Sequence, residues 1–320
     1  NAEAGDGSTT ATILPYAIYR EGVKLVVAGP DPILLKRGID LATAEVIEYI
    51  KKNAKPVAGE KELCQVATIS ANGDKTLGDM VGKALFKVGK EGVVTVEEGH
   101  ALETTLHIEE GLEIDRGYLS PYFVNEQDTQ RCILNDPRII ITDKKISSLR
   151  DLLPLLEQMT RPARPILIVA DDVDGEALAA LIVNKMQGVI QVCAIKAPNF
   201  GDQRRDTLAD LATLTGGEVI TEDTGRTLQN SKLEHLGSAR VVRIERNKTV
   251  IIGGSGKDKD IAKRVEDIRK YIGLAKSSID RERLEQRLAR LQGGVAVIKV
   301  GGTTESEMKE RRFRVDDALN

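Results

Sequence analysis

The stretch Ile166-Leu167-Ile168-Val169-Ala170-Asp171-Asp172-Val173-Asp174-Gly175-Glu176-Ala177-Leu178-Ala179-Ala180-Leu181-Ile182-Val183-Asn184-Lys185-Met186 decides the fold. Five consecutive apolar residues, three of them β-branched, read as a strand buried on both faces. A turn signal at Asp174-Gly175 follows, and then a helix over Gly175–Met186. The same unit repeats on either side. Ile139–Thr142 reads as a strand before a helix at Ser148–Met159, and Val189–Ile195 as a strand before a helix at Gln203–Thr215. Buried strands alternating with helices define βαβ units and a parallel sheet, so the fold class is α/β.

Outward from this centre the chain changes character. The first third reads as helical. One segment opens at Asp6-Gly7-Ser8-Thr9-Thr10 and runs to Val27, with a kink or break expected at Pro15. The hydroxyls and the Asp6 carboxylate are its expected caps. A second runs from Pro32 to Asn53, and two shorter helices cover Glu60–Ser70 and Lys75–Val88 around an Asn72-Gly73 turn. Val93–Val96 and Leu106–Ile108 read as strands. After the alternating units come a hairpin over Val241–Ile252, helices at Lys257–Ala275 and Asp280–Leu291, a strand at Val295–Val300, and a last charged helix at Thr304–Leu319. Glycines at 111 and 293–294 bracket the α/β region and mark its expected boundaries.

Composition narrows the function classes. Charged residues make up 30% and the net charge is -3, which provides no basic stripe for nucleic acid. No apolar run reaches membrane-spanning length. Cys64, Cys132 and Cys193 are odd in number and far apart, so they read as three buried thiols in a reducing compartment and not as a disulfide framework. His100, His107 and His235 lack metal-ligand spacing. Gly253-Gly254-Ser255-Gly256-Lys257 superficially suggests a phosphate loop. Ile251 stands where that motif needs its first glycine and Asp258 where it needs Ser or Thr, so the segment reads as a flexible turn. The start at Asn1-Ala2-Glu3-Ala4 has neither an initiator Met nor signal-peptide character, which suggests a fragment or a processed chain.

Two features point to chemistry. Gly5-Asp6-Gly7-Ser8-Thr9-Thr10 would put free N–H groups, hydroxyls and a hard carboxylate at a helix N-terminus, a constellation suited to phosphate and Mg²⁺ or to simple capping. Two helices also carry more apolar residues than one stripe requires: Leu149, Leu152, Leu153, Leu155, Leu156 and Met159 on the first, and Leu178, Leu181, Ile182, Val183 and Met186 on the next. They are either covered on both sides or form a groove for apolar peptide. Tyr118, Tyr122 and Phe123, clustered in a chain with 3% aromatics, could wall such a groove or belong to the core.

Several motifs occur in order along the whole chain. Ala4-Gly5-Asp6-Gly7-Ser8-Thr9-Thr10-Ala11-Thr12 and Lys36-Arg37-Gly38-Ile39-Asp40 are followed by Val66-Ala67-Thr68-Ile69-Ser70-Ala71-Asn72. Asp115-Arg116-Gly117-Tyr118-Leu119-Ser120-Pro121-Tyr122-Phe123 and Lys196-Ala197-Pro198-Asn199-Phe200-Gly201-Asp202 come next. Ala212-Thr213-Leu214-Thr215-Gly216-Gly217 and Gly293-Gly294-Val295-Ala296-Val297-Ile298-Lys299-Val300-Gly301 complete the set. Together they resemble the GroEL family of group I chaperonins.

The resemblance implies three nested domains. Residues 1–52 would be part of a helical equatorial domain, and 53–109 with 295–320 a mostly helical intermediate domain. Residues 110–294 would be an apical domain with βαβ units and parallel strands. It implies an ATPase using ATP and Mg²⁺, with Asp6 as the metal ligand and Gly7, Ser8, Thr9 and Thr10 on the phosphates. Ser8 stands where a Thr is usual. Ile69 would close over the nucleotide and Asp317 would act on the attacking water. Tyr118, Tyr122, Phe123, Leu153, Leu156, Leu178, Ile182, Val183 and Asn184 would form the surface for unfolded polypeptides and a GroES-type co-chaperonin, with Pro56, Gly111, Gly293 and Gly294 as hinges. The expected assembly is a double homo-oligomeric ring in the full-length protein, without nucleic acid or membrane partners. The expected location is a bacterial cytoplasm, with a mitochondrial matrix or plastid stroma as alternatives. A chain bounded as this one is would be inactive as an ATPase alone, and the alternative reading is a peptide-binding module without that activity. A metabolic α/β enzyme lacks any visible nucleophile or dinucleotide loop here, and a group II chaperonin would need a helical protrusion that the sequence does not show.

Overall fold

A computed structural model describes residues 4–89, 92–99, 101–159, 164–275 and 277–320; residues 1–3 and His100 lie outside them. The chain divides into two compact units. Unit 1 comprises 1–86, 96–106 and 298–320, and unit 2 comprises 87–95 and 107–297.

Unit 2 holds the α/β core. Its mixed seven-stranded sheet contains β3 (Gly111–Ile114), β4 (Cys132–Asn135), β5 (Arg138–Ile141), β7 (Ile166–Ala170), β9 (Val192–Lys196), β10 (Gly237–Ile244) and β11 (Thr249–Gly254). The order is β3-β11-β10-β5-β7-β9, with β4 also paired to β10. The expected parallel strands β5, β7 and β9 lie side by side, with Ile140 opposite Ile168 and Ile168 opposite Ala194. All five residues of β7 are buried. β3, β4, β10 and β11 pair antiparallel. A separate two-stranded parallel sheet joins β6 (Lys145–Ile146) to β8 (Asp172–Val173).

Several expectations needed correction. The helix read over Ser148–Met159 is a 3-10 turn, Leu149–Asp151, followed by a new helix, α5 (Leu153–Gln158). Pro154 has no N–H to give to the preceding turn, and in the first turn of α5 that missing donor costs nothing, which favours a new helix start there. The strand read from Val189 starts only at Val192, because α6 (Gly175–Met186) ends with Gly188 at φ 72° and Val189 still bonds back to the Asn184 carbonyl. Gly253-Gly254 is not a flexible turn. It ends β11, and a Cβ on Gly254 would overlap the Leu214 carbonyl at the end of α7 (Gly201–Thr215).

Helices α8 (Asp258–Leu274) and α9 (Ser278–Gly293) form a hairpin with its own small cluster of Val265, Ile268 and Leu291. Charge ties it to α7. Asp210, 3% exposed, accepts from Arg264 Nε at 2.7 Å and from Arg287 Nε at 2.8 Å, while Asp206 takes Arg287 Nη1 at 2.6 Å. A carboxylate so buried is tolerable only with such partners. Beside this network a 500 Å³ cleft is lined by Glu113, Asp206, Arg287 and Arg290, and burial raises the Glu113 carboxyl above its ordinary range.

Unit 1 is mostly helical. It contains α1 (Ser8–Val27), α2 (Pro32–Asn53), α3 (Glu60–Ser70), most of α4 (Lys75–Val88) and α10 (Glu305–Leu319). α1 runs through Pro15 without the break that was one of the two expected outcomes there. Pro15 cannot bond the Ala11 carbonyl, but Ala11 is exposed and water can serve it. Neither α1 nor α2 buries a residue, so Tyr16, Tyr19, Leu41 and Tyr49 stand open. α3 and α4 pack closely through small residues: a Cβ on Gly78 would overlap Thr68, and one on Gly82 would come within 2.6 Å of Cys64. Cys64 is only half-buried, unlike the other two cysteines. A three-stranded sheet has the order β1 (Val93–Glu98), β12 (Val295–Val300), β2 (Thr105–Glu109). No helix among the described residues is long and apolar enough to cross a membrane.

Asp210→Asn should destabilise unit 2 by about 3 kcal/mol, because two arginines lose their shared anion. Urea denaturation followed by far-UV circular dichroism measures this.

Candidate peptide groove and phosphate segment

The surplus of apolar residues on α5 and α6 divides cleanly. Leu152, Leu155 and Met159 on one side, and Ala177 and Leu181 on the other, face the core. Leu149, Leu156, Leu178 and Ile182 are half-buried against it. Leu153 is 41% exposed, Val183 49% and Met186 66%. The structure therefore leaves an apolar outer face on both segments, and the second-layer reading fails for these three residues. A 310 Å³ cleft beside them is lined by Leu156, Met159, Val189 and Ile190.

The aromatic cluster splits as well. Tyr122 is 63% exposed and belongs to this surface, whereas Phe123 is fully buried and is corrected from groove wall to core. Pro121 starts the short 3-10 turn Pro121–Phe123, capped by Ser120, and the turn aims successive side chains in opposite directions. Tyr118 is half-buried, bridged to Ile195 of β9. Asn184 is half-buried and spends its Nδ2 donor on the Ala180 carbonyl at 2.8 Å. Sequence reading missed Lys185. Its ammonium donates to the carbonyls of Tyr122 at 2.8 Å and Val124 at 2.7 Å, which fastens the aromatic turn to α6. A lysine among apolar residues carries no local signal of a bond sixty positions away.

The phosphate segment lies in unit 1. Gly7 caps α1 in the left-handed region at φ 92°, and no side chain caps the first turn. The expected Ser/Thr and Asp capping is thus absent: Asp6 instead accepts from its neighbour Gly7 N at 2.6 Å and stays exposed. Ser8, Thr9 and Thr10 form the first turn with exposed side chains. Free N–H groups, hydroxyls and one exposed carboxylate fit an anion carrying a divalent cation.

The backbone of Asp317 is brought against Gly5 of this segment. Gly5 is buried at φ 66° against α10, and a Cβ there would overlap the Asp317 carbonyl oxygen. α10 also packs on α3, the helix carrying Ile69. Ile69 is 68% exposed and lines an 850 Å³ cleft with Thr68, Lys75 and Lys83. Burial, with Asp79 adding to it, pushes the nearby Cys64 thiol up. Among the described residues no group of three or more His, Cys, Asp or Glu is arranged to hold a metal by itself. His235 caps a turn by accepting from Lys232 N at 3.0 Å.

The expected hinge glycines are close-packed. A Cβ on Gly111 would overlap Val295, one on Gly293 would meet the Val88 carbonyl at 2.9 Å, and Gly294 holds φ 64° against the Glu109 carbonyl. Pro56 lies in the exposed link between α2 and α3.

The model of the TCP-1/cpn60 chaperonin family matches residues 1–320, and the chain belongs to that family. Membership supports a chaperone role.

Leu181→Ala should cost about 2–5 kcal/mol and Val183→Ala less than about 0.5, since one leaves a core cavity and the other does not. Chemical denaturation of both variants checks the division. Gly5→Ala should loosen the last turn of α10, read as faster amide exchange at Asn320, whose N–H now bonds the Asp316 carbonyl at 3.0 Å.

Proposed function

We propose that this chain serves an ATP-dependent chaperonin that captures unfolded polypeptides on the outer face of α5 and α6. The observation that carries the reading is the exposure of Leu153, Val183, Met186 and Tyr122 on elements whose other sides are fully buried. Apolar segments of an unfolded chain would bind there by non-directional burial, which suits many sequences. Leu156, Leu178 and Ile182 would supply the floor, with Tyr118 and Asn184 at the margin. A GroES-type co-chaperonin would compete for the same surface and release the client into a closed chamber.

Asp6, Gly7, Ser8, Thr9 and Thr10 would hold ATP and its Mg²⁺, which would supply positive charge against the phosphates. Asp317 would orient the attacking water, and Ile69 would cover the nucleotide. The contact of Gly5 with the Asp317 backbone supports this grouping. Phosphoryl transfer depends on in-line positioning and charge stabilisation, so a carboxylate swung against the phosphate segment fits the chemistry. Pro56, Gly111, Gly293 and Gly294 would absorb the rotations that couple nucleotide to groove. The open apolar faces of α1 and α2 support assembly with further polypeptide, as in a ring.

A fluorescent apolar peptide titrated with the chain should bind, and Leu153→Glu and Val183→Glu should each weaken binding at least tenfold while leaving circular dichroism unchanged. Equal binding by folded variants would overturn the groove.

A further inference from the structure

One cation interrupts the apolar residues of the proposed groove. Lys185 lies in α6 between the exposed Val183 and Met186, and it follows Leu178 and Ile182 at helical spacing. That spacing puts it on the half-buried stripe that would floor the groove. A lysine on such a stripe ordinarily sends its ammonium to water. Here Nζ donates instead to two carbonyls of one short segment, Tyr122 at 2.8 Å and Val124 at 2.7 Å. These carbonyls flank Phe123, the residue by which the turn enters the core.

We propose that Lys185 is a positioning residue of the groove. By holding the backbone on both sides of Phe123 to α6, it fixes where the exposed Tyr122 ring stands. A fixed ring gives the groove a preference for apolar segments that carry an aromatic residue, through edge-to-face or offset stacking. This inference rests on the peptide-groove reading and names the client segments that the groove would favour.

The turn needs an outside support. It is three residues long, and its own bonds only shape it. Tyr122 N donates to Ser120 Oγ at 3.3 Å, Phe123 N to the Ser120 carbonyl at 3.1 Å, and Val124 N to the Pro121 carbonyl at 3.0 Å. Upstream, Leu119 N donates to the Ala194 carbonyl at 2.9 Å, which ties the approach to β9 and not to α6. Phe123 anchors the turn at one point, about which Tyr122 could still swing. The two lysine bonds add a second attachment on the α6 side, and hydrogen bonds from a charged donor are about twice as strong as neutral ones. Val124 is itself buried, so its carbonyl would lose the donor that offsets its desolvation if Lys185 were apolar. A ring already held in place has less freedom to lose when a peptide arrives.

Fluorescent apolar peptides, one with a central phenylalanine and one with leucine in its place, should be titrated with the parent chain and with Lys185→Met, Lys185→Arg, Tyr122→Ala and the Lys185→Met/Tyr122→Ala double variant. Lys185→Met should weaken binding of the phenylalanine peptide about fivefold and of the leucine peptide less than about twofold, with no further loss in the Tyr122→Ala background. Lys185→Arg should restore most of the affinity, and Lys185→Gln, a second uncharged variant, should follow Lys185→Met. Without peptide, amide exchange at Phe123 and Val124 should be faster in the two uncharged variants and unchanged in Lys185→Arg. Unchanged exchange in folded Lys185→Met or Lys185→Gln would overturn the proposal whatever the peptides do. Equal affinity losses with and without the Tyr122 ring, or for both peptides, would overturn it while leaving the groove intact. A folded parent that binds neither peptide overturns the groove and the positioning role together.

Discussion

The structure of unit 2 depends on burying both faces of β5, β7 and β9. Ile139, Ile140 and Ile141 are opposite Leu167, Ile168 and Val169, and all are at most 1% exposed. Strands of this kind need helices on both sides. The demand is met by one stripe on each covering helix, as with Ala177 and Leu181 of α6 and Leu208, Leu211 and Leu214 of α7. What remains on a helix after the sheet is covered is free to be something other than fold. On α7 the remainder is charged and receives α8 and α9. On α5 and α6 it is apolar and faces outward.

These remainders differ in how tightly they specify a partner. Asp210 accepts bonds with defined directions from two guanidinium groups, so the α8–α9 hairpin has one docking position. Leu153 and Val183 impose no direction at all. Unit 1 uses a third device, backbone approach at glycine, where Gly78 meets Thr68 and Gly5 meets Asp317. Beside the Gly78 contact α4 buries Leu77, Val81 and Ala84, whereas α1 and α2 bury no residue.

Local patterns made much of this legible. The ends of α2, α3, α4, α6 and β7 follow from the sequence because each is bounded by a cap, a proline or a glycine turn. Asp31, for example, accepts from Ile33 N ahead of Pro32. The antiparallel β3, β4 and β10 pairings were hidden because their short strands make sense only in long-range register. Phe123 and Tyr122 are adjacent and chemically alike, and only the turn capped by Ser120 tells which points inward. Asp317 has no local signature either. It gained meaning from a family resemblance, and its position against Gly5 depends on residues some three hundred positions apart.

The outward apolar face is a compromise that energetics can bound. Fully burying a Leu, Val or Met side chain is worth about 1.5–3 kcal/mol. Three or four such residues, already partly sheltered, offer a gross gain that the cost of immobilising a peptide largely offsets. If this surface captures peptide as proposed, one copy would do so weakly and reversibly, and firm retention would require several copies acting on one client. The same arithmetic would make release straightforward. On that reading, a competitor that fills Leu153 and Val183 on each copy, or a motion that separates the copies, would remove the avidity without having to overcome any single strong bond. A groove built from directed hydrogen bonds, like the Asp210 network, would hold fewer sequences and release them more slowly.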